Sequence, residues 1–151
     1  MVEDEGVTNI IMCGVGGQGV ILASNIVSIA AMLAGYEVKK SEVHGMSQRG
    51  GSVVTHVRFG ETVASPLISM GRGDVMMAFE KLEALRYIPY MGDHAVAIVN
   101  EREMVPTTVS SGPFDYPEET IESLERHMPV IRVDGPGIAR GEIGNARTAN
   151  T

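Results

Sequence analysis

The sequence predicts an α/β domain of Rossmann-like, three-layer architecture: a mostly parallel sheet with helices on both faces. Short apolar segments without polar alternation recur along the chain, as in parallel strands covered on both faces, and segments of helical periodicity lie between them. A glycine-rich turn joins the first predicted strand to the first predicted helix, as in doubly wound folds. With 151 residues the chain has the size of one domain, which we expect to comprise residues 1–151.

The first strand and the first helix flank this turn. The strand is predicted over Asn9–Cys13, and the helix from about Gly17 to Leu33, with its stop at Gly35. One stripe at helical spacing contains Leu22, Ile26, Ile29 and Leu33. Because the other faces carry few polar residues, we expect a partner subunit or a second copy of the chain to cover part of this helix. A central helix of a well-covered monomer is the alternative.

The remaining strands are short apolar or alternating segments. They are predicted over Tyr36–Ser41, Ser52–Phe59, Asp74–Phe79, Ala95–Val99 and Val130–Val133. Gly60-Glu61 is interpreted as a hairpin turn that leads into a further strand at Thr62–Ala64. This hairpin would insert an antiparallel pair into the otherwise parallel sheet.

Two further helices are predicted. The segment Glu80–Tyr87 has amphipathic spacing, and its inner face would contain Leu82, Leu85 and Ile88. The last predicted helix has Asp115 as its N-cap and extends to His127. Residues 134–151 contain four glycines and would make a poor isolated helix.

Composition excludes several classes of protein. The net charge of −7 argues against general binding of nucleic acid or membrane surfaces, since both require a basic face. A single cysteine excludes an internal disulfide and an iron–sulfur cluster held by this chain alone, because such a cluster takes about four thiolates. No segment approaches the roughly 20 apolar residues of a membrane span, and the acidic start is unlike a signal peptide. We therefore expect a soluble, cytoplasmic protein.

The glycine turn is the strongest functional signal. It contains Gly14, Gly16, Gly17, Gln18 and Gly19. Such a turn at the start of a helix directs unpaired backbone N–H groups and the positive end of the helix dipole into one pocket, which suits an anion, most naturally a phosphate. The alternative is that the glycines only allow the helix to pack closely on its strand.

Three more specific interpretations of this turn differ in the residues that they require. A Walker loop requires Lys and then Ser or Thr after Gly19, where the chain has Val20 and Ile21. A phosphatase-like loop built on Cys13 would need an arginine near the position of Gly19. A dinucleotide site requires an acidic residue about 20 positions later, and Glu37 and Glu42 keep that interpretation open.

The second informative segment is the predicted loop Glu42–Gly51. It contains His44, Ser47, Gln48, Arg49, Gly50 and Gly51, a composition suited to contact with a ligand or with the backbone of a partner. A flexible connection is the alternative. Arg49 is the best candidate for a functional charge, because an arginine among glycines has few structural roles and can bind phosphate or carboxylate with two hydrogen bonds. A surface ion pair is equally compatible with its position.

No complete catalytic constellation is apparent in the chain, and only His44 and Arg49 are candidate contributors to catalysis. The four histidines include no close pair at metal-ligand spacing, so we predict no metal site. Cys13 stands at a strand end beside a helix N-terminus, where its pKa can be lowered, although small buried cysteines are more often inert core residues.

The glycine turn, the segment Ser41–Gly51 and the strand after it together resemble the gamma-type domain of 2-oxoacid:ferredoxin oxidoreductases. Within that family the second loop is most similar to the beta subunit of indolepyruvate ferredoxin oxidoreductases. The segment 144–150 also resembles a late motif of the family. Family members continue with more helix beyond this point, so the resemblance implies that the chain is truncated at its C-terminus.

The resemblance implies a complex that oxidatively decarboxylates a 2-oxoacid, such as indolepyruvate or another aryl pyruvate, to an acyl-CoA with reduction of ferredoxin. Thiamine diphosphate and iron–sulfur clusters would belong to a large partner subunit, and this chain would be the small subunit, inactive alone. The glycine turn would hold the phosphates of coenzyme A, and Ser47–Gly51 would line the face toward the partner and its cofactor.

Two other interpretations remain open on the sequence. The chain could be a stand-alone dinucleotide-binding regulator or a dehydrogenase-like domain that uses the glycine turn for NAD. It could also be a purely structural subunit in which the glycine turns serve packing only. A homodimer formed through the apolar helix is compatible with each interpretation.

Overall fold

The computed structural model describes residues 6–45, 50–101, 103 and 116–143. Its elements are β1 Thr8–Val15, α1 Val20–Leu33, β2 Glu37–His44, β3 Ser52–Gly60, β4 Gly73–Ala78, α2 Lys81–Arg86, a 3-10 turn Ile88–Tyr90, β5 Met91–Asn100, α3 Thr120–Glu125, β6 Val130–Val133 and α4 Gly135–Ile143. Most elements lie where the sequence predicts them, with boundaries that differ by a few residues.

The strands form one sheet in the order β2-β3-β1-β4-β5-β6. Strands β1, β4, β5 and β6 are parallel, and β3 runs antiparallel to both of its neighbours. The predicted α/β class with a mostly parallel sheet is therefore confirmed. Because β3 is antiparallel to β1, its first residue, Ser52, lies beside the last residue of β1, Val15.

The antiparallel pairing does not involve the hairpin predicted at Gly60-Glu61. Thr62–Ala64 is irregular, because β3 already has β1 on one side and β2 on the other and leaves no free edge for a returning strand. The segment is instead anchored to β2: the Val63 N–H donates to Glu37 Oε2 at 3.0 Å, and the Val63 side chain is buried.

One apolar cluster lies on each face of the sheet. On the first face α1 packs on β1, β2 and β3, and the cluster there includes Ile10, Met12, Val20, Val53 and Val57. On the second face α2 packs on β1, β4 and β5, and on α3. The cluster there includes Ile11, Met76, Val99 and Leu124. The three-layer arrangement follows from alternate residues of β1 pointing to opposite faces.

Helix α1 turns its small and polar residues toward the sheet. Its buried residues are Val20, Ser24, Ser28 and Ala31. The two serine hydroxyls donate to backbone carbonyls of the helix itself, that of Ser24 to Ile21 and that of Ser28 to Ser24. The stripe of large apolar residues identified in the sequence therefore faces outward.

Helix α2 confirms the predicted helical segment, and two residues of its predicted inner face, Leu85 and Ile88, pack against the apolar cluster of the second face of the sheet. Its buried residues are Glu83 and Ala84, whereas Leu82 and Leu85 are half-buried. The N-cap is Glu80, whose carboxylate accepts from the N–H groups of Leu82 and Glu83 at 2.9 and 3.0 Å. A capping carboxylate satisfies N–H groups that the first turn of a helix leaves unpaired.

The two last helices differ from their predictions. Helix α3 begins at Thr120, later than predicted, and the predicted cap Asp115 lies outside the described residues. The glycine-rich segment after β6 forms α4 despite its composition. Asp134 caps that helix by accepting from the Gly137 N–H at 2.9 Å, and Pro136 occupies its first turn, where proline is favourable.

Buried polar side chains hold the loop between β3 and β4 at the amino end of the parallel strands. Arg58 donates through Nε to Asn9 Oδ1 at 2.7 Å and through a terminal nitrogen to the carbonyl oxygens of Ser65 and Leu67. His56 Nδ1 accepts from the Ile68 N–H at 3.0 Å. This acceptor role requires an unprotonated Nδ1.

We expect His56 to make folding stability depend on pH. Burial, with a smaller contribution from the Arg58 charge, lowers the pKa of His56, so the unfolded chain binds the proton more readily. The contribution is fully present above the ordinary histidine pKa of about 6.5 and is lost as the pH falls below it. Urea unfolding between pH 7.5 and 5 should show this loss in the wild type, and a smaller loss in His56→Asn, which keeps an acceptor near Nδ1. His94→Gln, at an exposed site, is the matched control, and an equal pH dependence in His56→Asn would contradict the assignment.

Candidate functional site

The glycine turn lies at the carboxyl end of β1, in the middle of the sheet. Gly17 and Gly19 have φ angles of 97° and 80°, a region that L-residues with side chains rarely adopt. Gly19 is the N-cap of α1, and because glycine has no side chain, no side chain of the N-cap accepts from the N–H groups of the first turn. The two glycines let the chain pass from a buried strand into the helix within four residues.

Gln18 fixes this turn from inside the protein. Its side chain is fully buried, and Oε1 accepts from the Val15 N–H at 2.7 Å while Nε2 donates to the Phe79 carbonyl oxygen at 3.1 Å. The glycine turn is thereby tied to the end of β4. The Gln18 side chain, which the sequence assigned to ligand binding, is occupied by these two contacts.

The two loops singled out in the sequence are hydrogen-bonded to each other. The Gly16 N–H donates to the Gly51 carbonyl oxygen at 2.7 Å, and the Gly50 N–H donates to the Gly16 carbonyl oxygen at 3.4 Å. Six predicted site glycines thus come together at the carboxyl end of β1, namely Gly14, Gly16, Gly17, Gly19, Gly50 and Gly51. Ser47, Gln48 and Arg49 lie outside the described residues.

A cavity of about 370 Å³ opens between these loops. It is lined by Val15, Gly16, Gly17, Gly19, Val20, Ile21, His44, Gly45 and Val53. His44 ends β2 and is exposed, so it lies at the rim. The wall therefore combines glycine backbone with aliphatic side chains.

The polar character of the cavity comes from the backbone. Within the described ranges the N–H groups of Gly17, Gly19 and Val20 have no hydrogen-bond partner, and they belong to the turn and to the first turn of α1. Unpaired N–H groups at the positive end of a helix dipole stabilise an anion. The geometry is suited to a phosphate or carboxylate oxygen.

Most basic residues of the neighbouring strands are engaged away from the cavity. The Lys39 ammonium pairs with Glu37 at 3.3 Å, and the Lys40 ammonium contacts Glu42 and Asn25. Arg58 is buried at the opposite end of β3. Arg49 therefore remains the candidate cation from this part of the sequence.

The same observations weaken the dinucleotide interpretation. A dinucleotide site places an acidic residue at the carboxyl end of the strand beside β1. Here the antiparallel β3 occupies that position, Glu37 lies at the amino end of β2, and Glu42 contacts Lys40. Neither glutamate is presented to the glycine turn as a ribose ligand.

A buried acidic cluster lies on the opposite face of the sheet from α1. Glu80 accepts from the Tyr116 hydroxyl at 2.5 Å, and Glu83 accepts from the Ser52 hydroxyl and lies 3.4 Å from a terminal nitrogen of Arg86. Desolvation raises the pKa of Glu80, and desolvation together with Glu80 raises the pKa of Tyr116. Sequence analysis missed this cluster. Its only signal was a pair of glutamates three residues apart directly after an apolar strand.

Cys13 is a core residue. It is fully buried, and desolvation together with the charges of Glu83 and Glu80 raises the pKa of its thiol. The thiolate needed for nucleophilic chemistry is therefore disfavoured. Among the residues that the structure describes, no three His, Cys, Asp or Glu side chains converge to hold a metal ion, and no helix is long and apolar enough to span a membrane.

The comparison with known protein families decides the classification. Residues 9–151 match the family described as pyruvate ferredoxin/flavodoxin oxidoreductase. The chain belongs to this family. A relative from Archaeoglobus fulgidus, named indolepyruvate oxidoreductase subunit IorB, is 47% identical over 134 residues, which are 87% of this chain and 66% of the relative. The chain spans 57 to 66% of the length of the curated relatives it matches under that name.

Solved structures of oxoacid oxidoreductases share the fold. Pyruvate oxidoreductase subunit PORC from Thermotoga maritima matches with a TM-score of 0.66 at 19% identity, over 95% of this chain and 71% of that one. A 2-oxoglutarate:ferredoxin oxidoreductase from Magnetococcus marinus, solved with 2-oxoglutarate, coenzyme A and succinyl-CoA bound, matches with a TM-score of 0.66 at 18% identity, over 96% of this chain and 23% of that one. At these identities the likeness concerns the fold alone.

Proposed function

We propose that this chain is the small, cluster-free subunit of a 2-oxoacid:ferredoxin oxidoreductase complex in the cytoplasm, with indolepyruvate or another aryl pyruvate as substrate. Family membership and the name of its relatives support this assignment. A larger partner subunit would carry thiamine diphosphate and the iron–sulfur clusters, because this chain has a single cysteine and that residue is buried. Ferredoxin would accept the electrons.

The role of this chain in the proposal is to bind and orient coenzyme A. Overall, the bond between the carboxylate and the keto carbon of the oxoacid breaks with release of carbon dioxide, and the acyl group becomes bonded to the sulfur of coenzyme A, whose thiol proton is released. The two electrons removed in this oxidation reduce ferredoxin. The observation that carries the proposal is the glycine turn, where unpaired N–H groups of Gly17, Gly19 and Val20 line a cavity next to the second loop. Phosphate oxygens of coenzyme A are the acceptors that such a turn fits.

The second loop has a separate role in the proposal. The backbone of Gly16, which lines the cavity, is hydrogen-bonded to Gly50 and Gly51. Ser47, Gln48 and Arg49 directly precede these two glycines in the sequence. We assign the five residues of Ser47–Gly51 to the face toward the partner subunit and its cofactor. Arg49 would in addition supply the cation for the phosphates of coenzyme A, since the other basic residues of this region are engaged elsewhere.

We expect Arg49→Ala to raise the KM for coenzyme A of the complete complex roughly ten- to hundredfold, because a charge-assisted hydrogen bond to phosphate contributes about 1.5–3 kcal/mol. The assay is indolepyruvate-dependent reduction of ferredoxin by the chain co-expressed with its large subunit. Arg72→Ala removes an exposed arginine just before the amino end of β4, whereas the glycine turn lies at the carboxyl end of the parallel strands, and it should leave this KM unchanged. If Arg49→Ala changes neither the KM for coenzyme A nor the turnover, Arg49 has no such role.

The subunit assignment is tested by isolating the tagged chain from its native cytoplasm. We expect a brown partner with iron–sulfur absorbance and bound thiamine diphosphate to co-purify. A colourless chain that is isolated alone, and whose melting temperature rises with NAD, would refute the assignment in favour of a dinucleotide-binding protein.

A further inference from the structure

The outward face of α1 is the most apolar exposed surface among the described residues. The exposed fractions of Leu22, Ile26, Ile29 and Leu33 are 44, 56, 56 and 85%. Met32 beside them is 62% exposed, and the helix contains no charged residue along its 14 residues. Contiguous apolar surface of this kind on a small domain marks an interaction site.

We propose that a second copy of this chain covers this face, with the two α1 helices antiparallel about a two-fold axis. The stripe itself has the required symmetry. Its intervals are four, three and four residues, so its midpoint lies between Val27 and Ser28. A two-fold axis there places Leu22 opposite Leu33 of the other copy and Ile26 opposite Ile29, as an isologous interface requires.

The spacing also fits close helix packing. Intervals of four, three and four residues are those of the core positions in a heptad pattern, which pack at a crossing angle of about 20°. At this shallow angle two helices remain in contact along their whole length, which is about 21 Å for 14 residues. All four residues of the stripe would therefore contact the second copy.

Charge and area favour a second copy as the occupant. The chain carries a net charge of −7, but the absence of charges on α1 means that self-pairing brings no like charges together at this face. Lys40, which contacts Asn25 of α1, is also in contact with Glu42. The five large side chains, each burying on the order of 100 Å², would give roughly 500 Å² per copy, or about 1,000 Å² in total, which is the lower limit for a specific interface.

This proposal rests on the outer face of α1 and not on the proposed function. The cavity lies at the amino end of α1, so an antiparallel pair would hold the two cavities at opposite ends of the interface. Each copy would keep its own glycine turn. The KM test of Arg49 and the test of self-association can therefore fail independently.

Cysteine cross-linking of the full chain tests the arrangement. The double variant Leu22→Cys/Leu33→Cys should form a covalent dimer on mild oxidation, because position 22 of one copy would lie opposite position 33 of the other copy. Each single variant should stay monomeric on a denaturing gel, because equivalent positions would be about 16 Å apart along the axis, beyond the Cα separation of a disulfide. The native Cys13 is buried and does not compete. A covalent dimer of Leu22→Cys alone would refute the antiparallel pairing, and no covalent dimer in any variant would refute the interface.

The mass in solution provides the second measurement. We expect light scattering of the full chain to give twice the 16.1 kDa of one copy, and Ile26→Glu to give the mass of a monomer. Met70→Glu is the matched control, because Met70 is also largely exposed but lies in the loop between β3 and β4. The control should remain dimeric. A monomeric wild type at micromolar concentration, or a dimeric Ile26→Glu, would overturn the proposal, as would isolation with the large subunit as a complex that holds a single copy of this chain.

Discussion

Gly14→Ala is expected to destabilise the fold by about 3 kcal/mol or more. A Cβ at this position would lie 2.7 Å from Gln18 Oε1, 2.9 Å from Phe79 Cβ and 3.0 Å from Val20 Cγ2. Gln18 cannot withdraw without loss of its two buried hydrogen bonds, which fix the glycine turn. Overpacking of a buried site costs about 1–3 kcal/mol, and each buried group left unpaired adds about 1–3 kcal/mol.

Urea unfolding of the full chain measures this effect. Gly141→Ala is the matched control, because a Cβ at Gly141 in α4 would meet no atom within 4 Å. This control should be neutral or should raise the free energy of unfolding by up to ~1 kcal/mol, as alanine does when it replaces a helical glycine. Equal unfolding midpoints for Gly14→Ala and the wild type would show that the packing around the turn is loose.

Glu80→Ala is expected to lower the free energy of unfolding by roughly 2–3 kcal/mol. The loss of an N-cap costs about 1 kcal/mol, and the variant also leaves the hydroxyl of the half-buried Tyr116 without its acceptor. Glu80→Gln should cost less than Glu80→Ala, because the amide oxygen still accepts at the helix end and burial already raises the pKa of this carboxyl, which disfavours its charge.

Glu125→Ala is the matched control for this pair of variants. It removes an exposed glutamate that pairs with Arg132 at 2.8 Å, and exposed ion pairs contribute about 0–1 kcal/mol. Chemical denaturation of the four proteins at pH 7 gives the comparison. A cost for Glu80→Ala no larger than that for Glu125→Ala would mean that the buried cluster contributes nothing to stability.

Local sequence patterns were sufficient to predict much of the fold. The buried strand around Asn9–Cys13 and the amphipathic segment Glu80–Tyr87 depend mainly on their own residues, and both are present. The place of β3 between β2 and β1 depends on a choice of pairing partner between segments far apart in sequence. For this reason the prediction of a hairpin at Gly60-Glu61 was wrong, although the strand before it was predicted correctly.

The candidate site was predictable to the extent that it consists of backbone. Gly17 and Gly19 are glycines because of their positive φ angles, which a sequence pattern can indicate. The inward orientation of Gln18 depends on the carbonyl of Phe79, 61 residues away, and could not be read from the turn itself. The burial of Glu83 was missed for the same reason, because its partner Ser52 comes from another strand.

The reversal of β3 has a consequence for how this fold can vary. In a parallel crossover the chain would leave the carboxyl end of β2 through a helix and enter the next strand at its amino end, away from the glycine turn. Here β3 returns antiparallel to β2, so the two described ends of the connection that joins these strands, Gly45 and Gly50-Gly51, lie beside the glycine turn and its cavity. This connection of seven residues can therefore change in length and composition while every strand keeps its register. We expect differences in ligand or partner preference among relatives to be concentrated in this connection.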